Sequence, residues 1–421
     1  MTFRTTEPSR TLQLNELAKD MAAAGETVYR FGFGQSPFMP PRRVQDALHE
    51  ATGRVDYAPV QGIRELREKI AQFHTATEGI DTSPEQIIVG SGSKILLLNT
   101  LMAFEPAHVV LPAPSWVSYK PQAQMAGHEL HWIPTTFEQR WRITPAQLDA
   151  HMATLDGRSK ILVLNYPGNP DGLTYTAPEL EALAPVLEKH GVWVLSDEIY
   201  GMVHHDGAHV SLRKYYPQRT LVTSGLSKWC AAGGWRMGVQ LLPVDIPVAF
   251  RDALLAIASS SYSCAPTPVQ VAAIPGYIWD EVSQTYIGRQ QHILRVLGQQ
   301  VYRILADGGV AVHPPQGGFY FLTDFSPLRE SLAARGIFTD DVLCANLLAE
   351  TGVILLPGAA FGMQPENLTA RLSYVDFSGA QIMNAMADAG TPPGDEDVVA
   401  LIDRYCAHML EGLHKLVEWL Q

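Results

Sequence analysis

The chain is short of basic residues and of long apolar runs, and each shortage excludes a class of protein. Its 421 residues carry 31 Lys and Arg against 43 Asp and Glu, a formal net charge of −12. Because proteins that bind nucleic acid present clustered positive charge, nucleic acid is not expected as the main partner. No apolar run is long enough to span a bilayer, so no membrane association is expected, and the N-terminus lacks an apolar segment with a small-residue cleavage site.

Cysteine is also scarce. The four cysteines are scattered without metal-like spacing, at Cys230, Cys264, Cys344 and Cys406. We therefore expect no metal site and a reducing compartment, and interpret Cys230 as a packed thiol rather than a redox group. Together with the missing apolar segments, these absences predict a soluble, cytoplasmic protein.

The remaining composition indicates a large globular α/β protein. With 46% hydrophobic residues, the length suits two domains, or one large domain with a smaller satellite. Apolar strand-like segments alternate with helical patterns, which predicts an α/β fold with a mostly parallel sheet. The distinctive motifs follow the strands, where such sheets bind ligands.

Charge is nearly absent from residues 220–243, where Lys228 and Arg236 are the only charged residues. Two cations in so apolar a setting need anionic or covalent partners. Desolvation favours the neutral, nucleophilic form of a lysine, which forms Schiff bases with aldehydes, and an arginine with Ser227 is suited to phosphate. An aldehyde combined with a phosphate indicates pyridoxal 5'-phosphate. The alternative is an ordinary loop with two surface cations.

Residues 225–228 (Gly-Leu-Ser-Lys) and 234–238 (Gly-Trp-Arg-Met-Gly) resemble the cofactor-lysine signature of class I/II pyridoxal-phosphate-dependent aminotransferases. The resemblance extends from about residue 11 to 377. It implies the three-layer αβα fold of fold-type I enzymes, with a mostly parallel sheet and a smaller α/β domain. The expected boundaries are 48–285 for the large cofactor domain, with 1–47 and 286–421 forming the small domain.

The resemblance implies three catalytic residues: Lys228, Asp197 and Tyr200. Residues 196–200 (Ser-Asp-Glu-Ile-Tyr) follow an apolar strand, and a buried acid there must be paired. The resemblance makes Asp197 the partner of the protonated pyridine nitrogen and directs Tyr200 to the ring oxygen. The alternative is an acid that caps the next helix, which suits Glu198 better.

Residues 90–94 (Gly-Ser-Gly-Ser-Lys) form a glycine-rich turn between a strand and a helix, which favours an anion at the helix N-terminus. A simple N-cap at Ser91 or Ser93 explains this segment equally well. Beside the lysine signature, it resembles the family's phosphate cradle. The full cofactor-binding set implied by the resemblance is Tyr57, Gly92, Ser93, Lys94, Trp116, Asn169, Asp197, Tyr200, Ser227, Lys228 and Arg236.

Two members of this set come from loops after strands. Trp116 is expected to stack on the pyridine ring; the alternative is a buried core tryptophan. Asn169 lies in a loop resembling the family's Asn-Pro-x-Asn-Pro-Thr-Gly and is expected to donate to the phenolic oxygen, unless it only forms a turn. In that loop, Asp171 replaces the usual threonine.

The resemblance also implies the substrate-binding residues Gly34, Asn169 and Arg371. Arg371 is expected to grip the α-carboxylate with paired hydrogen bonds; the alternative is a solvent-facing strand arginine. Gly34 opens a turn that resembles the family's Gly-Glu-Pro-Asp-Phe, with Gln35 and Ser36 departing from that pattern.

Tyr57 is expected to reach across a homodimer interface to the cofactor phosphate of the neighbouring subunit, so that the active sites are shared. This rests on the resemblance of residues 57–67 to the family's Tyr-x-x-x-x-Gly-x-x-x-Leu-Arg segment. The residues alone favour an aromatic that caps a loop.

The expected reaction is transfer of an amino group between an L-amino acid and a 2-oxo acid by a ping-pong mechanism, with Lys228 as general base and then acid. One alternative is a β-lyase, decarboxylase or cyclopropane-forming synthase of the same fold. The other is a binding module that has lost catalysis.

The C-terminal third has its own pattern. A long helix is expected from about residue 286, followed by strands at 308–312, 317–322 and 353–356. Residues 378–397 are interpreted as an insertion or interdomain excursion, and residues 398–420 as one closing amphipathic helix.

Overall fold

The computed structural model describes residues 10–388 and 393–421. Its strands are β1 (Tyr29–Arg30), β2 (Ile87–Gly90), β3 (His108–Ala113), β4 (Glu129–Pro134), β5 (Lys160–Asn165), β6 (Trp193–Asp197), β7 (Thr220–Gly225), β8 (Gly238–Leu241), β9 (Tyr320–Asp324), β10 (Val353–Ile354), β11 (Leu356–Pro357) and β12 (Thr369–Ser373). Its helices are α1 (Arg10–Ala23), α2 (Arg42–Glu50), α3 (Arg64–Glu78), α4 (Ser93–Met102), α5 (Tyr119–Met125), α6 (Pro145–Met152), α7 (Ala177–His190), α8 (Val248–Ser261), α9 (Thr267–Gly276), α10 (Glu281–Asp307), α11 (Arg329–Ala334), α12 (Asp340–Thr351), α13 (Gly379–Asp388), α14 (Asp395–Tyr405) and α15 (Ala407–Leu420).

A seven-stranded sheet forms the centre of the molecule, in the order β2-β8-β7-β6-β5-β3-β4. Strands β3 to β7 pair in parallel, and β8 runs antiparallel to both of its neighbours. The strand order changes direction between β5 and β3, because β4 lies outside β3 while β6 and β7 follow β5. Such a switch point opens a crevice at the carboxyl ends of the strands.

Helices cover both faces of this sheet. Val110 and Leu162 pack with α6 and α7 on one face, whereas Val109 and Ile161 pack with α4 and α8 on the other. Adjacent strand residues point to opposite faces, so β3 and β5, buried on both sides, consist largely of apolar residues. The sequence prediction of three αβα layers around a mostly parallel sheet is confirmed.

The remaining strands form two small sheets. Strands β11, β12 and β9 make an antiparallel sheet in that order. Strand β1 pairs in parallel with β10, with Tyr29 opposite Val353. The N-terminal segment therefore joins the C-terminal part of the chain in one smaller α/β unit. Among the described helices, none has the length and apolar character needed to cross a membrane.

Helix α10 begins earlier than the sequence pattern suggested, at Glu281. The side chain of Asp280 accepts a hydrogen bond from the Ser283 backbone N–H at 3.0 Å and caps the first turn. The strand expected at 308–312 is reduced to a single bridge between Ala311 and Asp324. Gly308, the first residue of this expected strand, instead caps the C-terminal end of α10.

The C-terminal expectations need two corrections. The stretch 378–397, interpreted as an excursion, contains α13 and the start of α14, while residues 389–392 lie outside the described residues. The closing helix expected at 398–420 is two helices, α14 and α15. They separate at Cys406, whose φ of −112° and ψ of 13° are not helical. Val398 and Ile402 are buried on α14, and Met409, Leu413 and Leu416 on α15.

Candidate active site

A cleft of about 570 Å³ opens at the carboxyl ends of β3, β5, β6 and β7. Eleven of the residues that the sequence singled out line it: Gly34, Ser93, Lys94, Trp116, Asn169, Asp197, Tyr200, Ser227, Lys228, Arg236 and Arg371. Strand and helix ends from distant parts of the chain bring them together. The cleft lies beside the switch point of the sheet, where α/β sheets bind their ligands.

Lys228 lies just past the end of β7, on the floor of this cleft. Its Nζ donates a hydrogen bond to the carbonyl oxygen of Gly34 at 3.0 Å and lies 5.1 Å from the ring centroid of Tyr200. The ring of Phe319 is at a similar distance, 5.3 Å. The described contacts of this amine are therefore a carbonyl and two aromatic rings rather than a carboxylate, which leaves it available to a ligand.

Asp197, the last residue of β6, is 3% exposed. Burial raises the pKa of this carboxyl to about 6, although the hydroxyl of Tyr119 donates to its Oδ2 at 2.7 Å and opposes the shift. A buried carboxyl whose ionisation is disfavoured in this way gains most from a cationic partner. A protonated pyridine nitrogen is such a partner.

The start of α4 faces the guanidinium of Arg236. Gly92 precedes the helix with a φ of +99°, and a Cβ on it would lie 2.2 Å from Nη2 of Arg236. In the described structure no side-chain hydrogen bond caps α4, so the N-cap interpretation of Ser91 and Ser93 is wrong and the first-turn N–H groups remain available to an anion.

Lys94 adds a second cation at this end of the cleft. Its pKa is lowered by burial and, to a smaller extent, by the charge of Arg236. Its Nζ lies 5.0 Å from the ring centroid of Trp116, which is half-buried and lines the cleft. The interpretation of Trp116 as a wholly buried core residue is therefore wrong.

Arg371, on β12, closes the opposite side of the cleft. It is 1% exposed, so the interpretation as a solvent-facing strand arginine is wrong. Its Nη1 donates to Oδ1 of Asn169 at 3.0 Å and its Nη2 to the carbonyl of Gly32 at 2.6 Å, while its buried Nε has no partner. Burial lowers the pKa of Arg371. A buried guanidinium with spare donors is a site for a carboxylate.

Several residues of the cleft were given no role from the sequence, among them Tyr119, Tyr320 and Gln35. Tyr119 binds Asp197, as described above. Tyr320 exchanges a hydrogen bond of 2.8 Å with the hydroxyl of Tyr200, and its hydroxyl occupies the space that a Cβ on Gly34 would need. Gln35 also lines the cleft. The sequence offered one clue that Tyr119 belongs to the cleft, because it follows Trp116 by one helical turn. Tyr320 was recognised only as part of a predicted strand.

Asp171, the departure from the family's loop, does not line the cleft. It is 5% exposed and pairs with Arg142, whose Nη2 lies 2.5 Å from its Oδ1. The same oxygen accepts the backbone N–H of Leu173 at 2.8 Å. Asp171 therefore contacts Arg142 and the loop that carries Asn169, and does not itself line the cleft.

Glu198 does not cap a helix either. Its carboxylate accepts hydrogen bonds from Ser196, Tyr166 and Ser211 and contacts Nε2 of His209 at 2.8 Å. It is the centre of a buried polar network behind β6.

Two predicted cofactor residues, Tyr57 and Gly92, do not line the cleft. Tyr57 is 90% exposed. Gly92 directly precedes Ser93, which lines the cleft, and a side chain on Gly92 would overlap the guanidinium of Arg236.

The donor set of the cleft fits pyridoxal phosphate. It offers an amine for the aldehyde, a buried carboxyl for the ring nitrogen, and an open helix N-terminus with two cations for the phosphate. This arrangement, at the carboxyl ends of a mostly parallel αβα sheet, defines a pyridoxal-phosphate enzyme of fold type I.

The family model described as "Aminotransferase class I and II" matches residues 26–386 of this chain. The chain belongs to this family. It is 36% identical to an aspartate aminotransferase of Geobacillus stearothermophilus over 377 residues, 87% of this chain and 92% of that protein. It is 33% identical to an aspartate/prephenate aminotransferase of Cereibacter sphaeroides over 385 residues, 89% of this chain and 93% of that protein.

Among solved structures, the aspartate aminotransferase from Thermus thermophilus with maleate superposes with a TM-score of 0.83 at 27% identity, covering 99% of this chain and 100% of that one. The predicted fold, cofactor and reaction are confirmed: the chain is a pyridoxal-phosphate-dependent aminotransferase that moves an amino group between an amino acid and a 2-oxo acid. The same-fold lyase and the inactive binding module are thereby set aside.

Proposed function

We propose that the cleft residues hold the cofactor and substrate in the roles that the sequence predicted, and that aspartate is the amino donor. The observation that carries the proposal is the convergence of Lys228, Asp197 and Arg371 on one cleft. The names of the relatives support aspartate. Gln35, which lines the cleft, offers an amide to a polar substrate side chain.

Pyridoxal phosphate supplies an aldehyde that bonds amines and a ring that accepts the electrons released when the Cα–H bond breaks. Asp197 would hold the protonated ring nitrogen, Tyr200 and Asn169 would offer polar groups to the ring oxygen, and Trp116 would stack on the ring. The phosphate is assigned to Gly92, Ser93, Lys94, Ser227 and Arg236.

Nζ of Lys228 would hold the cofactor covalently through its aldehyde carbon. As a free amine, Nζ would take the proton from the substrate Cα as general base and, as general acid, would deliver it to the cofactor carbon that carried the aldehyde. The Gly34 carbonyl, 3.0 Å away, orients this amine. The second 2-oxo acid reverses the sequence, which gives ping-pong kinetics.

Arg371 holds the substrate's α-carboxylate with its spare N–H donors. Asn169 and Gly32 already fix the plane of the guanidinium, so little side-chain entropy remains to be lost on binding. Gly34, whose missing side chain makes room for Tyr320, lies beside the same carboxylate.

We further propose a homodimer in which Tyr57 reaches the partner's cofactor phosphate. Tyr57 is 90% and the nearby Val55 92% exposed, which is unusual for large apolar side chains and suits a surface that a second copy covers.

The domain division at residues 48 and 285 is consistent with the seven-stranded sheet lying within that range. A cytoplasmic location is supported by four free cysteines.

The covalent attachment at Lys228 is the direct test. We expect borohydride reduction of the cofactor-loaded enzyme, followed by peptide mapping, to place the cofactor on Lys228, and Lys228→Ala to lose this link and all amino-group transfer. Lys94→Ala is the matched control, because this second lysine of the cleft should leave the covalent link intact. A cofactor found on any lysine other than Lys228 contradicts the assignment.

The donor is tested on the purified enzyme by following the cofactor absorbance with single amino acids. Aspartate should convert the cofactor to its amine form faster than asparagine or phenylalanine. Faster conversion by either of the other two rejects aspartate but leaves the Lys228 assignment untouched.

A further inference from the structure

Three potential metal ligands lie at the amino ends of β3 and β4, the edge of the sheet opposite the cleft. His108 is the first residue of β3, and Glu129 and His131 are the first and third of β4. In the parallel register His108 pairs with Glu129, and Val110 pairs with His131. Because strand residues two positions apart share a face, all three side chains lie on the same face of the sheet.

The donor atoms of these three side chains are already close together. Nδ1 of His108 lies 2.9 Å from Nε2 of His131. Oε1 of Glu129 lies 3.5 Å from Nε2 of His131, and Oε2 of Glu129 lies 3.7 Å from Nδ1 of His108. Tetrahedral Zn²⁺, with bonds of about 2.0–2.2 Å, separates its ligand atoms by about 3.3–3.5 Å. The three side chains can each place one donor atom within 4.8 Å of the other two, so side-chain adjustment would bring the three atoms onto one ion.

A metal-bound histidine usually donates its second ring N–H to a carboxylate, and Asp156 is such a partner for His108. Its Oδ1 lies 2.9 Å from Nε2 of His108. This contact favours the proton on Nε2 and leaves the lone pair of Nδ1 directed at His131 and Glu129. The His108 side chain is 3% exposed, so packing fixes the orientation of its ring.

Charge also favours a cation here. Arg158 donates to Oε2 of Glu129 at 2.7 Å and to Oδ2 of Asp156 at 3.0 Å. With neutral imidazoles, the two carboxylates and this one guanidinium leave a net negative charge. Arg158 holds Oε2 of Glu129, while Oε1 is the oxygen that lies 3.5 Å from His131.

We propose that His108, Glu129 and His131 bind a divalent transition-metal ion of the Zn²⁺ class, with water in the fourth position. Two imidazoles and one carboxylate form a donor set that Zn²⁺ accepts, and Cu²⁺ should bind the same set more tightly than Co²⁺. Strand β4 is the outermost strand of the sheet. An ion bound by residues of both strands holds this edge strand to β3. Because the ion binds only the folded protein, it raises the free energy of unfolding.

The test uses the cofactor-loaded enzyme after removal of metal by dialysis. Titration calorimetry with Zn²⁺ should show one site per chain, and Zn²⁺ should raise the melting temperature. His131→Ala should weaken binding at least tenfold, and Asp156→Asn about 10- to 100-fold, the range for outer-shell partners. His414→Ala removes an exposed histidine elsewhere and should leave the affinity unchanged.

Cobalt gives an independent readout. Co²⁺ bound to the wild-type cluster should produce a visible absorption band of a low-coordinate ion, and this band should disappear in His131→Ala. Glu129→Gln is the second variant if His131→Ala fails to fold, because the Glu129 side chain is 51% exposed. Undiminished Zn²⁺ affinity in a folded ligand variant, or no binding by the wild type, overturns the proposal and leaves a hydrogen-bonded surface network.

Discussion

Asp197 shows how a single buried residue makes stability depend on pH. Burial raises its pKa from 3.8 to about 6 in the cofactor-free fold. Between these two pH values the folded protein binds more protons than the unfolded chain, so the stability falls as the pH rises through this window. Because two pKa units correspond to about 3 kcal/mol, the ionised Asp197 opposes folding by about that amount at neutral pH, and a cationic ring nitrogen would relieve it.

We therefore expect Asp197→Asn to increase the free energy of unfolding of the cofactor-free enzyme at pH 8, by up to about 3 kcal/mol, and to change it little at pH 4. Asparagine keeps an acceptor for the hydroxyl of Tyr119 but carries no charge. Urea unfolding at the two pH values measures the difference. An equal effect at both pH values would show that ionisation of Asp197 is not the cause.

Arg371 gives a prediction about substrate charge. Arg371→Lys should lower kcat/KM for amino acids and 2-oxo acids alike, by about 10- to 100-fold, because lysine cannot reproduce paired hydrogen bonds worth about 1.5–3 kcal/mol to a carboxylate. Half-reaction rates with an amino acid and with an amine lacking the carboxylate measure this. Equal losses for both compounds would make Arg371 a structural residue.

At the scale of elements, the loop after β5 depends on a buried ion pair. Arg142 and Asp171 are both almost fully buried, and burial raises the pKa of Asp171 against the opposing charge of Arg142. This pair lies beneath the backbone that carries Asn169. Removing one partner leaves the other charge buried without compensation.

We expect Asp171→Asn to lower the free energy of unfolding by about 3–5 kcal/mol. The double variant Arg142→Met/Asp171→Thr, which removes both charges and installs the family's usual threonine, should recover most of this loss. Denaturant unfolding of the single and double variants measures the coupling. Additive losses would mean that the two side chains do not act as a pair.

At the scale of the whole molecule, the proposed homodimer with shared active sites gives a prediction. If Tyr57 serves the partner's phosphate, Tyr57→Asp places a negative charge beside that phosphate and inactivates the partner's site. Co-expressed with Lys228→Ala, it should form hybrids with one intact and one doubly damaged site. With free mixing half the dimers are hybrids, so activity should recover to about a quarter of wild type.

Both single variants must be nearly inactive, and hybrid formation is checked with two affinity tags. Given proven hybrids, absence of recovery would place the action of Tyr57 within its own chain or remove it from the site.

The sequence by itself determined the cofactor chemistry, because that chemistry depends on short segments at strand ends. Lys228 and Arg236 lie eight residues apart in a segment with no other charge, and Asp197 ends an apolar strand. The carboxyl ends of parallel strands meet at one edge of a sheet, so an α/β pattern with these motifs already predicts that they converge. The α/β fold with a mostly parallel sheet followed from the same pattern, and the three-layer arrangement from the family resemblance.

Only the tertiary structure decided which distant side chains touch. The contacts of Tyr119 with Asp197, of Tyr320 with Gly34, and of His108 with His131 join separate elements. Each depends on strand order and register, which are set by packing of the whole core rather than by a local sequence pattern. The three ligands of the proposed metal site likewise come together only when β3 and β4 pair in register, so no spacing in the sequence points to them.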